Sequence, residues 1–223
     1  MDRGNIRRSR HAERGYLMAT KTKNGNPQTR QAILDALERT LENRPLGEIA
    51  VTDILAEAGL SSRTTFYQHF GGRDEAFVAL VGRALNEIGN EVMAAIHDAS
   101  VRRTPLLRKA VDRWMVRGGR HRHLARNMLL EWPRIPEFRE IFVAFMTGLS
   151  EQLAAAIDED RRAGLVVTAV PSSTAASMAL WSAERAMHAT MVGAYGFASS
   201  AATADALVAQ HLALVYGIKP TAK

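Results

Sequence analysis

Between Phe138 and Ile157 the apolar residues Phe138, Ile141, Phe142, Phe145, Leu149, Leu153 and Ile157 recur at helical steps. That period gathers them on one face of an α-helix, whereas a strand would need alternation. The same period runs through most of the chain. Ile33, Leu34, Leu37 and Leu41 predict a helix from Gln28 to about Glu42, broken by Asn43-Arg44-Pro45-Leu46-Gly47. Ile49, Ile54 and Leu55 predict a short second helix, Glu48–Ala58, which Gly59 ends. Ser61 or Ser62 suits the N-cap of a third, which Phe66 and Phe70 anchor and Gly71-Gly72 stops. A long fourth helix starts at Asp74 and runs through Phe77, Leu80, Val81, Leu85, Ile88 and Val92. Further helices are expected at Pro105–Gly118, His121–Trp132, Pro136–Ala163, Pro171–Tyr195 and Thr203–Tyr216. The longest alternating stretch, Leu165–Val170, is too short and isolated to build a sheet. The expected fold is all-α.

Charge divides the chain. The first 30 residues hold Arg3, Arg7, Arg8, Arg10, Arg14, Lys21, Lys23 and Arg30 against Asp2 and Glu13, which accounts for the whole net charge of +6. Residues 1–27 therefore read as a basic, disordered arm drawn to polyanions, or equally as a solvated tail ahead of a start at Met18. The chain has no cysteine, which excludes disulfides and thiolate chemistry and suits a reducing cytoplasm. No stretch approaches the roughly 20 apolar residues of a membrane span, and the arginine-rich start lacks a signal's apolar core. A cytoplasmic protein without a membrane partner is expected.

Three short helices, with a tight glycine turn between the second and third, have the layout of a helix-turn-helix. If Phe66 and Phe70 hold the third helix down, Ser62, Arg63, Thr64, Thr65, Tyr67 and Gln68 are left outward. Hydroxyls can donate to phosphate oxygens, and Arg and Gln can read guanine and adenine edges. The positive N-terminal end of such a helix also favours phosphate.

The stretch VTDILAEAGLSSRTTFYQHFGGRDEAF closely resembles the DNA-binding domain of TetR/AcrR-type transcriptional regulators. Its core, Thr65-Phe66-Tyr67-Gln68-His69-Phe70, precedes a glycine-containing start of helix 4, where Arg73 takes the place of the family's lysine. Gly59 to Thr65 spans six steps where typical members have five, so the turn is one residue longer or the reading helix starts later. The resemblance implies that Thr65 and Tyr67 contact phosphates or a thymine methyl. It also implies that His69, Arg73 and Thr52 clamp phosphate. Arg63, Thr64 and Gln68 are candidates for base readout, with Ser61 and Ser62 at the helix start. His69 could instead pack against helix 1, and Tyr67 could be a core aromatic.

The domain at 28–75 is thus expected to read DNA, and 76–219 to bind an effector and dimerise, as the resemblance implies for the last two long helices. Those helices could equally be buried within one subunit. Glu184 and Arg185 are candidates to pair at an interface. Trp114, Met128, Trp132, Phe142, Phe145, Met146 and Trp181 supply aromatic and thioether surface for an apolar effector site, or for an ordinary core. Trp181-Ser182-Ala183-Glu184-Arg185 is similar to the subgroup containing the repressor of ethionamide activation, whose pocket is long and apolar.

The resemblance implies a homodimeric repressor on a near-palindromic operator, released by a small apolar ligand, with no cofactor. A helical dimeric interaction protein, or an enzyme without sequence-specific DNA binding, is the alternative. No paired metal-ligand histidines, P-loop, dinucleotide glycine pattern or serine elbow supports catalysis.

Overall fold

Asn26 opens the first helix, its side chain accepting from the Gln28 N–H at 2.9 Å, with Pro27 at the first helical position. In the computed structural model the described residues are 25–97, 104–193, 196 and 199–218. They form nine α-helices: α1 (Pro27–Leu41), α2 (Val51–Glu57), α3 (Arg63–His69), α4 (Arg73–His97), α5 (Thr104–Arg120), α6 (Arg122–Glu131), α7 (Pro136–Arg162), α8 (Ser172–Val192) and α9 (Ser200–Tyr216). A 3-10 turn, Leu46–Glu48, precedes α2, and no strand occurs among the described residues.

These residues fall into two compact units. The first comprises those within Met1–Asn86 and His123–Phe142, the second those within Glu87–Arg122 and Val143–Lys223. The unit holding the helix-turn-helix therefore reaches beyond the expected boundary at 75/76, taking in the first part of α4, α6 and the start of α7. The reason is packing: Phe77 meets Phe138 edge-on, and Trp132 packs against Phe138 and Phe142.

In the first unit, Ile33, Leu34 and Leu37 of α1, Ile54 of α2, Phe66, Phe70 and Phe77 form a fully enclosed core. Arg83 on α4 ties α1 in place, donating to Asp35 at 2.5 Å and to Glu38 at 2.6 Å. In the second unit, α9 packs on α5 and α8, and α5 on α8. Thr190 and Thr203 share a hydroxyl hydrogen bond at 3.0 Å between α8 and α9. Arg108 of α5 donates to Asp205 of α9 at 2.7 Å.

Helix boundaries shift where capping overrides periodicity. Ser199 caps α9 through the Ala202 N–H, so that helix starts before Thr203. Helix α8 stops at Val192 because Gly193 turns left-handed at φ 67°; Tyr195, its expected end, lies outside the described residues. Leu165–Val170 connects α7 to α8, where Arg161 donates to the Thr168 and Val170 carbonyls, both at 2.8 Å. By length and composition α7 could cross a membrane, contrary to the expectation that no stretch comes near this. Its stripe from Phe138 to Ile157 is buried in protein, and charged Glu137, Glu140 and Glu151 are exposed on it, as in a core helix.

Candidate nucleic-acid interface

The turn between α2 and α3 is built by backbone hydrogen bonds. Leu60 N–H donates to the Leu55 carbonyl at 2.8 Å and Gly59 N–H to Ala56 at 3.1 Å, with Gly59 left-handed at φ 68°. This is a Schellman close, and the positive φ is what calls for glycine. Ser62 then caps α3, its hydroxyl accepting from Thr65 N–H at 3.4 Å. At the start of α2, Asp53 reaches back to accept the Ala50 N–H at 2.9 Å.

Helix α3 is held from below by Phe66 and Phe70, whose rings lie 5.7 Å apart. Phe66 also meets Tyr67 edge-on. Ser61, Ser62, Arg63, Thr64, Tyr67 and Gln68 are exposed, Thr65 is half-exposed, and Thr52 is exposed on α2. Tyr67 is 49% exposed, so its phenol is available to an outside acceptor. One short helix thus offers hydroxyl, phenol, amide and guanidinium groups on a face with no carboxylate.

Two of the expected phosphate clamps sit differently. His69 is only 5% exposed and its Nδ1 has no hydrogen-bond partner. Burial, then the nearby Arg30, pushes its pKa down. It packs under Gly25, where a Cβ would lie 2.1–2.8 Å from the imidazole atoms, so only glycine fits. Arg73 turns inward and donates to the Gly47 carbonyl at 3.2 Å and the Ile49 carbonyl at 2.9 Å. It therefore braces the segment leading into α2.

Two more residues steady the same region without having stood out in the sequence. Asn127 on α6 is 2% exposed; its carbonyl oxygen accepts the Leu46 N–H at 2.8 Å and its amide donates to the His123 carbonyl at 2.9 Å. Arg134 grips Asp74 at the start of α4. A lone Asn amid the apolar positions of α6 was the only sequence signal for the first.

The second unit holds an apolar cavity of about 70 Å³. Val92, Val111, Trp114, Leu153, Leu180 and Val208 are among its lining side chains, and Gln210, His211 and the Trp114 indole are lining residues that carry hydrogen-bonding groups. Of the seven expected effector residues, only Trp114 lines it. Trp132 and Phe142 belong to the aromatic cluster of the first unit, where Met128 also lies, half-buried. Phe145 and Met146 are buried in the second unit away from the lining, and Trp181 is partly exposed on α8. Glu184 and Arg185 approach to 3.5 Å within the one chain.

A buried three-helix frame that presents a hydrogen-bonding face after a tight turn defines a helix-turn-helix DNA-binding protein. Residues 107–217 match the family described as "Transcriptional regulator EthR, C-terminal domain". The chain is 28% identical over 187 residues to the HTH-type transcriptional regulator EthR of Mycobacterium tuberculosis, covering 83% of this chain and 86% of that protein. Among solved structures it resembles SmeT, the repressor of the Stenotrophomonas maltophilia multidrug efflux pump SmeDEF, with a TM-score of 0.66 at 19% identity, covering 87% and 96% of the two chains. It also resembles a TetR-family regulator from Mesorhizobium loti, with a TM-score of 0.65 at 19% identity, covering 85% and 97%. By these matches the chain is similar to TetR-family transcriptional regulators, with an EthR-like C-terminal part, and the relatives it matches are named regulators, not enzymes.

Proposed function

We propose that the protein is a homodimeric, cytoplasmic repressor that binds a near-palindromic operator through α3 and is released by a small apolar ligand. The observation that carries this reading is the open face of α3 above the buried Phe66 and Phe70. Thr52, Ser61, Ser62, Thr65 and Tyr67 suit phosphate contacts, and Arg63, Thr64 and Gln68 suit base edges. Two such heads on a two-fold axis would meet half-sites about 34–36 Å apart.

Helices α8 and α9 are the proposed dimer surface. Exposed Met178 and Trp181 on α8, beside small Ala and Ser residues, suit close packing by a second copy. The effector is proposed to enter the cavity beside Trp114 and Leu180 and to meet Gln210 or His211 with one polar group. At about 70 Å³ the cavity is far below the roughly 300–1,000 Å³ of pockets that bury drug-sized ligands. A ligand must therefore part the lining, and it acts by favouring the parted state over the operator-binding one. Helix α4 contributes Val92 and Ile96 to that lining and Asp74 to the brace at its other end. SmeT has been solved with triclosan, an apolar aromatic molecule, at 19% identity to this chain.

The test is selection of bound duplexes from a random pool, followed by titration of Tyr67→Ala and Gln68→Ala on the selected site. Tyr67→Ala should weaken binding to all duplexes with helicity unchanged. Gln68→Ala should relax preference at one position by roughly 1–3 kcal/mol. Affinity unmoved by Tyr67→Ala, together with a preference profile unmoved by Gln68→Ala, removes α3 from the interface.

A further inference from the structure

We propose that a second copy of this chain docks head-to-tail on the second unit, the basic outer face of α5 on one copy against the acidic outer face of α7 on the next. The contact uses other helices than the α8 and α9 surface proposed above and does not depend on it.

The first observation is a concentration of charge inside a balanced body. Charges cancel over residues 31–223, yet α5 carries Arg108, Lys109, Arg113, Arg117 and Arg120 against Asp112 alone. Arg108 is taken up by Asp112 and Asp205. The other four fall, with Val116, within about a third of the helix circumference. Lys109, Arg113 and Arg120 are exposed, and Val116 stands 66% exposed in the middle of their row. Glu91 serves both Arg113 and Arg117, at 3.3 and 3.1 Å, and so neutralises one charge of the face. Lys109 and Arg120 have no ion-pair partner among the described residues.

The second observation is an acidic face on α7. Glu151, Ala155 and Asp158 are exposed along one side of it, with Thr147 one turn earlier and Glu159 at the edge. Among the described residues none of these three carboxylates has an ion-pair partner. The small residues between the carboxylates leave room for a side chain such as Val116.

The third is register. Arg113 and Arg120 are seven residues apart, as are Glu151 and Asp158. Both pairs therefore span about 10.5 Å along their helices. Aligned parallel, Arg113 meets Glu151 and Arg120 meets Asp158, while Val116 falls beside Ala154 and Ala155 and Lys109 beside Thr147. The antiparallel alignment sets Lys109 against the exposed Arg162, so charge selects the parallel one.

Both faces belong to the second unit. They are different surfaces, so a contact between them does not close on itself by two-fold symmetry but can repeat from copy to copy. Exposed ion pairs are individually weak and are screened by salt, which makes this a contact of low salt and high protein concentration.

The experiment is sedimentation of the full chain over rising protein concentration, with R113E/R120E, with E151K/D158K, and with the two variants mixed in equal amounts. At about 0.5 M salt screening leaves only the basal species, whether one copy or two. At about 0.05 M salt the unaltered chain should grow beyond that species, its average mass rising at least about 1.5-fold at the highest concentration. Each variant alone should stay at the basal mass, because its two faces then carry the same sign. The mixture should grow again, because each variant keeps the face that the other has lost. If R113E/R120E fails to fold, R113Q/R120Q takes its place and should also stay at the basal mass. No growth of the unaltered chain, growth undiminished in either variant, or a mixture that stays at the basal mass would each overturn the proposal. No growth together with weaker binding of R113E/R120E to random-sequence duplex would assign the α5 face to nucleic acid and overturn it as well.

Discussion

Arg134 donates both terminal nitrogens of its guanidinium to the Asp74 carboxylate, at 2.6 and 3.1 Å, while its Nε reaches Glu131 at 2.5 Å. Hydrogen bonding from Arg134, more than from Arg73, holds the Asp74 carboxyl below its usual range. A depressed carboxylate pKa stabilises the fold above the unfolded value near 3.9, and that contribution fades as pH falls through the folded value. Asp74→Asn should therefore cost at most about 1 kcal/mol at neutral pH, because both partners are partly exposed. Urea unfolding should show the difference from wild type narrowing as pH drops below about 3.9.

Asn127 should matter more, because its environment is dry. Truncation to Ala leaves the buried Leu46 N–H without its acceptor, a loss of roughly 1–3 kcal/mol. Chemical denaturation measures that directly. A variant as stable as wild type would mean that water replaces the amide.

His188 on α8 is 5% exposed, its Nε2 has no hydrogen-bond partner, and burial, then Arg185, pushes its pKa down to about 4. The unfolded chain takes up this proton near pH 6.5 while the fold refuses it until about pH 4. Stability should therefore fall across that interval as pH is lowered, by on the order of 3 kcal/mol. His188→Gln should flatten this part of the pH–stability curve. Glu184, one turn earlier, is raised by burial and acts in the opposite sense, losing stability as pH rises above its unfolded value.

The cavity supplies a separate prediction. In a panel of n-alkyl alcohols of graded length, together with triclosan, at least one compound should raise the melting temperature of the unaltered protein and lower its operator affinity. Ala183→Leu adds bulk at the lining and should abolish both responses while sparing operator binding without ligand. Ligand responses unchanged in Ala183→Leu would place the effector elsewhere.

The apolar period made the helices legible, because each core stripe is local to one helix. The exposed face of α3 was legible for the same reason: Phe66 and Phe70 mark the inner side, so the outer side follows by rotation. His69 and Arg73 were not, since their surroundings come from Gly25 and from the Gly47 and Ile49 carbonyls, distant in sequence. The cavity was equally hidden. Aromatic residues just past α6 and on α7 stood out in the sequence, but Trp132 and Phe142 build a solid cluster in the first unit. The lining instead draws on ordinary Leu, Val and Ala residues of five helices, which no local pattern separates from core.

The most direct measurement of the central claim is a salt titration of the purified protein on duplexes recovered by selection, with and without Tyr67→Ala. The α3 account predicts that the recovered duplexes share an inverted repeat, bound far more tightly than random DNA, with affinity falling as salt rises and falling again in Tyr67→Ala. Recovery of no shared sequence, or equal affinity of wild type and Tyr67→Ala for it, would contradict the assignment of α3 as the reading helix.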